Sequence, residues 1–595
     1  MKLNELLKGL PIVSYRGDLS VEITNITYDS RKVREGSLFV CIDGFNRDGH
    51  TYIPMAVNQG AAAILVQNSV NGLPIGDSTV VRVFDSRYAL AVVSAAFFGQ
   101  PSHSIDLVAL TGAAGKRTLG YLLHHYLTRR SVPCGFLNGM RIYNGARIFA
   151  GTRNHPGPPE IQGALKGWLE TDVQVGLLPI SQQDVQFDRV SETHFEIGLI
   201  LNSKNALSDR EVEFYDRCSH LILNQDDMSS HLIKAKVRQP RLITFGITHE
   251  ADIKAEEVHI VHIDGKAGTE FKIVSKYFPT LDIFLPLPGR FNVYNTLALI
   301  ACLWQLGFAP AEVVEELPYL MAQGRVQPVD NDLGLQIYID VAWQPHQLEA
   351  LLMALRPYCR RRLIAVLGAA GNRSRSNRIA LGKICGELAD QTILTATSSR
   401  GESPTTITED LAMGIKRTAC AYEIHHDRTS GIEKAISLAA PGDMVLLLGK
   451  GEQTFEVSSQ ETKSVSDLIV ARQVLNRLEK QQIKPGKKMP DRGTETTADC
   501  AGGSVVNSAA FEEQTEMVKV EDAADLAKDF PPNSETSRKS ENTVEKRTVG
   551  EVQLEPQSDT SQIAIEAAAE DCARRQRKQR FLKNQMVDVA QEVKR

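Results

Sequence analysis

A chain of 595 residues is too long for a single hydrophobic core and calls for about three globular domains with additional segments. Its formal charge of −5, from 67 Lys and Arg against 72 Asp and Glu, excludes a globally basic nucleic-acid binder and a polybasic membrane-surface protein. No stretch approaches the roughly 20 apolar residues of a membrane span, and Met1-Lys-Leu-Asn-Glu-Leu-Leu7 lacks the apolar run of a secretory signal.

In chain order, residues 1–100 alternate short apolar runs at 37–42, 61–66 and 79–83 with a helix-like stretch at 52–58, the pattern of a small α/β unit. Residues 104–325 open with an apolar strand at 106–110, then Leu110-Thr-Gly-Ala-Ala-Gly-Lys-Arg-Thr118, then an amphipathic segment at 119–127. Strand, glycine-rich turn and helix in that order make a phosphate-binding loop, in which backbone N–H groups and the helix dipole cradle an anion and Lys116 neutralises it. Gly112, Gly115, Lys116 and Thr118 are therefore the candidate nucleotide-binding residues, with Lys116 the candidate catalytic cation. The residue after the lysine normally supplies a hydroxyl to Mg²⁺. Here it is Arg117, and Thr118 comes one position late.

Further strands are predicted at 174–178, 197–201 and 221–224, giving a βαβ rhythm and a mainly parallel sheet closed by a helix at 292–306. Residues 326–478 repeat the α/β pattern, with strands at 336–340, 363–367, 391–395 and 443–448 and a helix at 345–355. From 479 the composition turns to Pro, Lys, Ser, Glu and Thr, which cannot bury enough surface to fold, so 479–560 reads as a disordered linker. Residues 561–595 regain helical periodicity around Arg574-Arg-Gln-Arg-Lys-Gln-Arg580, a basic tail that is either solvated or set to meet an unknown anionic partner. The nine cysteines are scattered without metal-type spacing, as suits reduced thiols in a cytoplasm.

Several motifs together resemble the Mur ligases that add the third residue to UDP-N-acetylmuramoyl-dipeptide. Thr27-Tyr-Asp-Ser-Arg-Lys-Val33, Gly36-Ser-Leu-Phe-Val40 and Gly44-Phe-Asn-Arg-Asp-Gly-His50 are similar to the family's opening. Pro288-Gly-Arg-Phe-Asn-Val-Tyr-Asn295, Asp340-Val-Ala-Trp-Gln-Pro345, Gly368-Ala-Ala-Gly-Asn-Arg-Ser-Arg375, Arg400-Gly-Glu-Ser-Pro404 and Gly449-Lys-Gly451 follow in the family's order. The resemblance implies an α/β architecture of three domains: a UDP-sugar-binding domain (1–100), a central ATPase-like domain with a parallel sheet (104–325) and a C-terminal domain (326–478) that receives the incoming amino acid. It implies ATP and Mg²⁺ as cofactors and a UDP-N-acetylmuramoyl-peptide as ligand. By the same resemblance Asn295 and Asp340 lie on the adenine and ribose side, while Ser30, Arg31, His50 and Arg189 lie on the UDP-sugar side. Arg400 and Glu402 fall at the amino-acid side.

The resemblance also exposes losses. Counting back from Asp188-Arg-Val190, Pro179 falls on the family's metal-binding glutamate and Gln183 on its histidine. Asn202-Ser-Lys-Asn-Ala-Leu207 stands where the family has Asn-Leu-x-x-Asp-His-Leu, and no lysine between Lys204 and Lys234 can play the carbamylated bridge. Trp343 replaces a histidine, Thr397-Ser-Ser-Arg400 replaces Asp-Asn-Pro-Arg, Glu452-Gln453 replaces His-Glu, and Arg153-Asn-His-Pro156 replaces a Thr-Thr-Pro type motif. No metal site is expected. Three readings follow: a Mur-ligase-like protein impaired in catalysis that binds or scaffolds, a working ligase whose metal is held by Asp184 or Asp188, and an interaction protein acting through its basic tail.

Overall fold

The computed structural model describes residues 1–482 except 45–46, 71, 140, 146, 151–154, 204–206, 239 and 264–265. The linker and basic tail expected at 479–560 and 561–595 lie outside the described residues from 483 onward, as do Arg153, Asn154 and Ala206 of the altered motifs.

Among the described residues three large sheets succeed one another, followed by a two-stranded pair, Phe455–Val457 with Thr462–Ser464. The first has five strands. Asn25–Thr27, Ser37–Val40, Ala61–Val66 and Thr79–Val83 run parallel, and Ile12–Arg16 pairs antiparallel on the Thr79–Val83 edge. Apolar side chains fill both faces, with Leu38, Val40, Leu65 and Val81 on one and Phe39, Ile53 and Ile64 on the other. Helix Ser86–Phe97 begins at Asp85, whose carboxylate accepts from the N–H groups of Arg87 and Tyr88 and so satisfies amides that the helix cannot.

The second sheet has eleven strands and Asp106–Thr111 near its centre. Val175–Ile180 and Ile197–Ile200 flank that strand in parallel, and His220–Asn224 and Arg241–Gly246 continue the parallel order outward. These strands are apolar on both faces because helices cover both sides. The sheet then changes character. Ile253–Ile263, Lys266–Ser275 and Leu281–Leu285 form an antiparallel meander on one edge, and Cys134–Leu137 leads into an antiparallel pair, Arg141–Asn144 and Ile148–Ala150, on the other. The βαβ rhythm correctly implied the parallel centre and did not foretell these extensions. Helix Arg290–Gln305 buries an almost continuous apolar surface, Val293 and Leu297 through Leu303, against the sheet.

The third sheet has six strands. Gln336–Asp340, Met444–Leu448, Leu363–Ala369, Gln391–Ala396 and Ala421–Ile424 are parallel, with the short Gln327–Pro328 antiparallel at the edge. The last described helix, Asp467–Gln482, runs past residue 479, where composition placed the start of the linker; it is anchored to the third sheet by its buried Val470, Ala471, Val474 and Leu475. Among the described residues no helix is long and apolar enough to cross a membrane, and the seven described cysteines are free thiols.

One buried ion pair ties this last helix to the third sheet. Arg428 and Asp467 are wholly shielded from solvent, 2.6 Å apart, and Arg428 also donates to Thr395 Oγ1 at 3.0 Å. Removing one partner leaves an uncompensated buried charge, which costs far more than the pair contributes. Asp467→Ala should therefore lower unfolding stability by about 3–5 kcal/mol, read from the urea midpoint, whereas a surface pair such as Lys463–Glu461 should change it by less than about 1 kcal/mol.

Candidate functional site

Strand Asp106–Thr111 delivers the chain into a turn that only glycine follows without strain. Gly112 has φ of +137° and Gly115 φ of +86°, and a side chain at Gly112 would press on the Asn202 backbone at 3.1 Å. Helix Lys116–Arg129 starts at once, so the strand–turn–helix read from the sequence is present.

Two amides of the turn are already engaged. Asn202, just beyond the neighbouring strand Ile197–Ile200, accepts from the N–H of Ala113 at 2.8 Å and of Ala114 at 3.0 Å through Oδ1, and donates to the Ala114 carbonyl at 3.2 Å. Lys116 turns its ammonium back onto the Gly112 carbonyl. Burial depresses the Lys116 pKa, Asp184 opposes that shift and Arg117 adds to it. Asn295 lies beneath the turn on helix Arg290–Gln305, donating to Asn292 Oδ1 at 3.3 Å, and its Oδ1 stands 3.5 Å from where a side chain at Gly115 would begin. Gly112, Gly115, Lys116 and Asn295 are thus gathered in one place, and Thr118 lies on the first turn of the helix.

The metal side does not fit a divalent cation. Pro179 is registered with Leu110 at the end of strand Val175–Ile180, beyond the last pairing with Cys134–Leu137, where a missing N–H is tolerated. It offers no ligand. Gln183 is exposed on the short helix Gln182–Gln186. Asp184 is committed elsewhere: it accepts from Ser181 Oγ at 2.5 Å, pairs with Arg189 at 2.6 Å and lies 3.3 Å from His155. Burial would raise its pKa, but the hydrogen bonds from His155 and Ser181 prevail and hold it at about 2. Asp188 pairs with Arg210 and accepts from Ser191 at 2.8 Å. No group of three or more His, Cys, Asp or Glu among the described residues is arranged to hold a metal.

Asp340 ends strand Gln336–Asp340 and accepts from the Val326 N–H at 2.9 Å and the Ala342 N–H at 2.8 Å, fastening the connection between the second and third sheets. Burial raises its pKa, while Arg325 and these two amides oppose the rise. Trp343 lies half exposed under the Arg373 guanidinium, 4.8 Å from the ring centre. An open cleft of about 650 Å³ lies between the antiparallel meander and helix Pro345–Leu355, lined in part by Thr248, Lys254, Arg290, Met353 and Tyr358; no residue of the turn at 112–118 borders it.

The remaining candidates stand in separate places and hold local structure. Arg31 grips its own turn, donating to Asp29 at 3.0 and 2.9 Å, and Ser30 is buried beside it. His50 is buried with both ring nitrogens engaged: Nδ1 meets Asp48 at 2.5 Å, and Nε2 accepts from the N–H groups of Gln67 and Asn68 at 3.2 and 3.3 Å. Arg189 is held by Asp184 and lies over the Phe187 ring. Arg400, with φ of +54°, reaches the Gly371 carbonyl at 3.5 Å, whereas Glu402 pairs with the buried Arg378 at 2.7 Å, so the two are anchored separately. Sequence reading missed Asn202 as the residue filling the turn and Arg378 as the partner of Glu402. Both contacts join segments far apart in the chain, and no local pattern announces them.

A three-domain α/β protein with a phosphate-type loop on its central sheet is the class defined by this architecture. The family model described as the Mur ligase family catalytic domain matches residues 22–98, the Mur ligase middle domain 110–303, and the Mur ligase glutamate ligase domain 324–451. The chain is 30% identical over 493 residues to the UDP-N-acetylmuramoyl-L-alanyl-D-glutamate–2,6-diaminopimelate ligase of Clostridioides difficile (strain 630), covering 80% of this chain and 100% of that one. It is 31% identical over 475 residues to the corresponding ligase 1 of Clostridium acetobutylicum, covering 78% and 96%. A solved structure of a UDP-N-acetylmuramoyl-L-alanyl-D-glutamate–2,6-diaminopimelate ligase shares the fold with a TM-score of 0.57 at 21% identity, over 80% of this chain and 99% of that one. The chain belongs to the Mur ligase family.

The helix that leaves the loop carries a pH-sensitive pair. Burial holds both His124 and His125 at a pKa of about 4. Below the unfolded value of about 6.5 the unfolded chain takes up protons that the folded chain refuses, so stability falls as pH drops from there and levels out below about 4. Replacing His124 with Phe, which can retain the ring contacts to Phe136 and Tyr143, should flatten this acid limb when urea midpoints are compared between about pH 7 and 4.5.

Proposed function

We propose that this protein is a member of the tripeptide-adding Mur ligase branch that is impaired in ligation and acts by binding or scaffolding in peptidoglycan precursor synthesis in the cytoplasm. In this reading residues 1–100 supply a UDP-sugar-binding domain, 104–325 the ATPase-like domain and 326–478 the amino-acid-receiving domain. The relatives' names motivate the ligand class, a UDP-N-acetylmuramoyl-peptide.

The observation that carries the reading is the joint state of the loop and its metal side. ATP-dependent ligation converts a carboxylate to an acyl phosphate, and charge building on the transferred phosphoryl group must meet cations placed in advance. Arg117 stands where a metal-ligating hydroxyl belongs, Pro179 where a carboxylate belongs, and Asn202 already fills the amides of Ala113 and Ala114. The alternative, an active synthetase with a rearranged metal site, needs Asp184 or Asp188 free to ligate. Each is tied up in ion pairs and hydrogen bonds, and freeing either would expose a partner arginine. Positioning of the sugar nucleotide in this reading falls to Ser30, Arg31, His50 and Arg189, and of an amino acid to Arg400 and Glu402.

Two outcomes test it. Calorimetric titration should find MgATP binding weak or absent, with no gain on adding Mg²⁺; micromolar, Mg²⁺-dependent binding would restore the ligase reading. Arg117→Thr alone should yield no phosphate release with UDP-muramoyl-dipeptide and diaminopimelate or lysine, because residues that act as a unit are not recovered one at a time. Clear turnover by that single variant contradicts the proposal.

A further inference from the structure

Two turns at one edge of the third sheet are joined by a ribbon that belongs to neither. Arg400 stands in the turn after strand Gln391–Ala396, and Lys450 follows strand Met444–Leu448. These strands are not neighbours, because Leu363–Ala369 lies between them and pairs with both in parallel. All three run the same way, so both turns sit at C-terminal strand ends, where open α/β sheets bind ligands. The short strand Phe455–Val457 leaves the Lys450 turn and reaches the Arg400 turn, where Ser458 bridges to Arg400.

Polar bonds fasten the ribbon at both ends. At one end the Lys450 ammonium, wholly shielded from solvent, donates to Glu456 Oε1 at 2.7 Å. The next residue holds the other end. Val457 donates its N–H to Ser398 Oγ at 3.1 Å, and its carbonyl accepts from the Arg400 N–H at 2.8 Å. Arg400 has φ of +54°, a conformation that a residue with a side chain keeps only where its surroundings fix it. Apolar burial does little for the ribbon, since Phe455 and the whole of Thr462–Ser464 are exposed, and a two-stranded pair without an apolar face is not stable by itself. The shielded ammonium, by contrast, cannot part from its counter-ion without a large penalty, so the Lys450–Glu456 pair sets where the ribbon lies. The far end of the Arg400 turn has its own anchor, Glu402 on Arg378 at 2.7 Å, which leaves the ribbon to govern Arg400 itself.

We infer that Lys450 is a positioning residue for Arg400: through Glu456 it fixes the ribbon whose Val457 backbone holds the Arg400 turn, presenting the guanidinium to the carboxylate of an amino acid. This role rests on the reading of Arg400 as an amino-acid contact, and adds the residues that set that contact in place. A guanidinium recognises a carboxylate through a planar fork, so a turn fixed beforehand lowers the ordering cost of binding. Lys450 itself is too deeply shielded to touch a ligand and acts through Glu456 and Val457.

Hydrogen exchange and calorimetric titration with diaminopimelate, both on the full chain, test it. Lys450→Met should speed exchange at least about threefold in a peptide spanning 396–404 while leaving the core strand 363–369 within about twofold of the parent. It should also weaken diaminopimelate binding at least about fivefold, towards the loss produced by Arg400→Met. Lys463→Ala, which removes the exposed pair with Glu461 on the same ribbon, should change neither. Equal acceleration in 363–369 and 396–404 makes Lys450 a stabilising residue alone and overturns the role, as does unchanged exchange in 396–404. A parent chain that takes up no diaminopimelate overturns the amino-acid reading of Arg400 and this role with it, whereas a parent that binds and a Lys450→Met chain that binds equally well overturn this role alone. If Lys450→Met does not fold, Ser398→Ala cuts the same tether at its other end and must both speed exchange in 454–458 and weaken binding.

Discussion

The turn after strand Asp106–Thr111 constrains the rest of this molecule. A parallel strand buried on both faces must leave the sheet within a few residues and enter a helix, and it does so through glycines at positive φ packed against Leu201 and Asn202. Backbone N–H groups at such a turn point outward and require an acceptor. In a phosphate-binding loop the ligand is that acceptor. Here the Asn202 carboxamide takes the amides of Ala113 and Ala114, and Lys116 is folded onto Gly112, so these groups of the turn are satisfied by the chain's own atoms. A ligand entering this cradle would first have to displace a well-made set of hydrogen bonds, each worth roughly 0.5–1.5 kcal/mol net.

Charge follows the same logic of internal satisfaction. Asp184 is shared by Ser181, His155 and Arg189; Asp226 accepts the N–H groups of Ile247, Thr248 and His249 together with the Tyr294 hydroxyl, which hold its pKa well below the ordinary carboxylate value against the effect of burial. Arg378 is divided between Asp410 and Glu402. All of these groups serve as structural ties. His50 shows the same economy, with both ring nitrogens spent on the turn at Asp48 and on the amides after strand Ala61–Val66.

Membership in the Mur ligase family and the proposed loss of ligation rest on different residues. The three sheets and their helices are specified by apolar positions spread over the chain, which survive many substitutions. Acyl-phosphate chemistry depends on a handful of polar atoms converging near one phosphoryl group, and a proline or arginine among them changes what the site can stabilise.

Much of the fold was legible in the sequence. Strands Ala61–Val66, Thr79–Val83 and Gln336–Asp340 and helix Pro345–Leu355 fall at the positions read from apolar runs and turn residues, and the loop was evident from its glycines and Lys116. Local periodicity suffices for such elements, since burial on a strand or helix face writes a repeat into adjacent residues. The antiparallel meander from Ile253 to Leu285 was not legible, because exposed residues such as Ile260 and Val274 blur the alternation that marks a half-buried strand. The site divided in the same way. The sequence alone named Lys116 and Arg117, and the family resemblance drew attention to Pro179 and Gln183, which are matters of residue type at a given position. That Asn202 fills the turn, that Arg189 is held by Asp184 and that Glu452 lies beside Arg325 at the junction with the central domain were decided by tertiary structure. The Asn202 and Glu452 contacts depend on segments far apart in the chain being brought within a few ångströms, which no local pattern encodes, whereas the Asp184–Arg189 pair joins residues five apart across the end of a short helix.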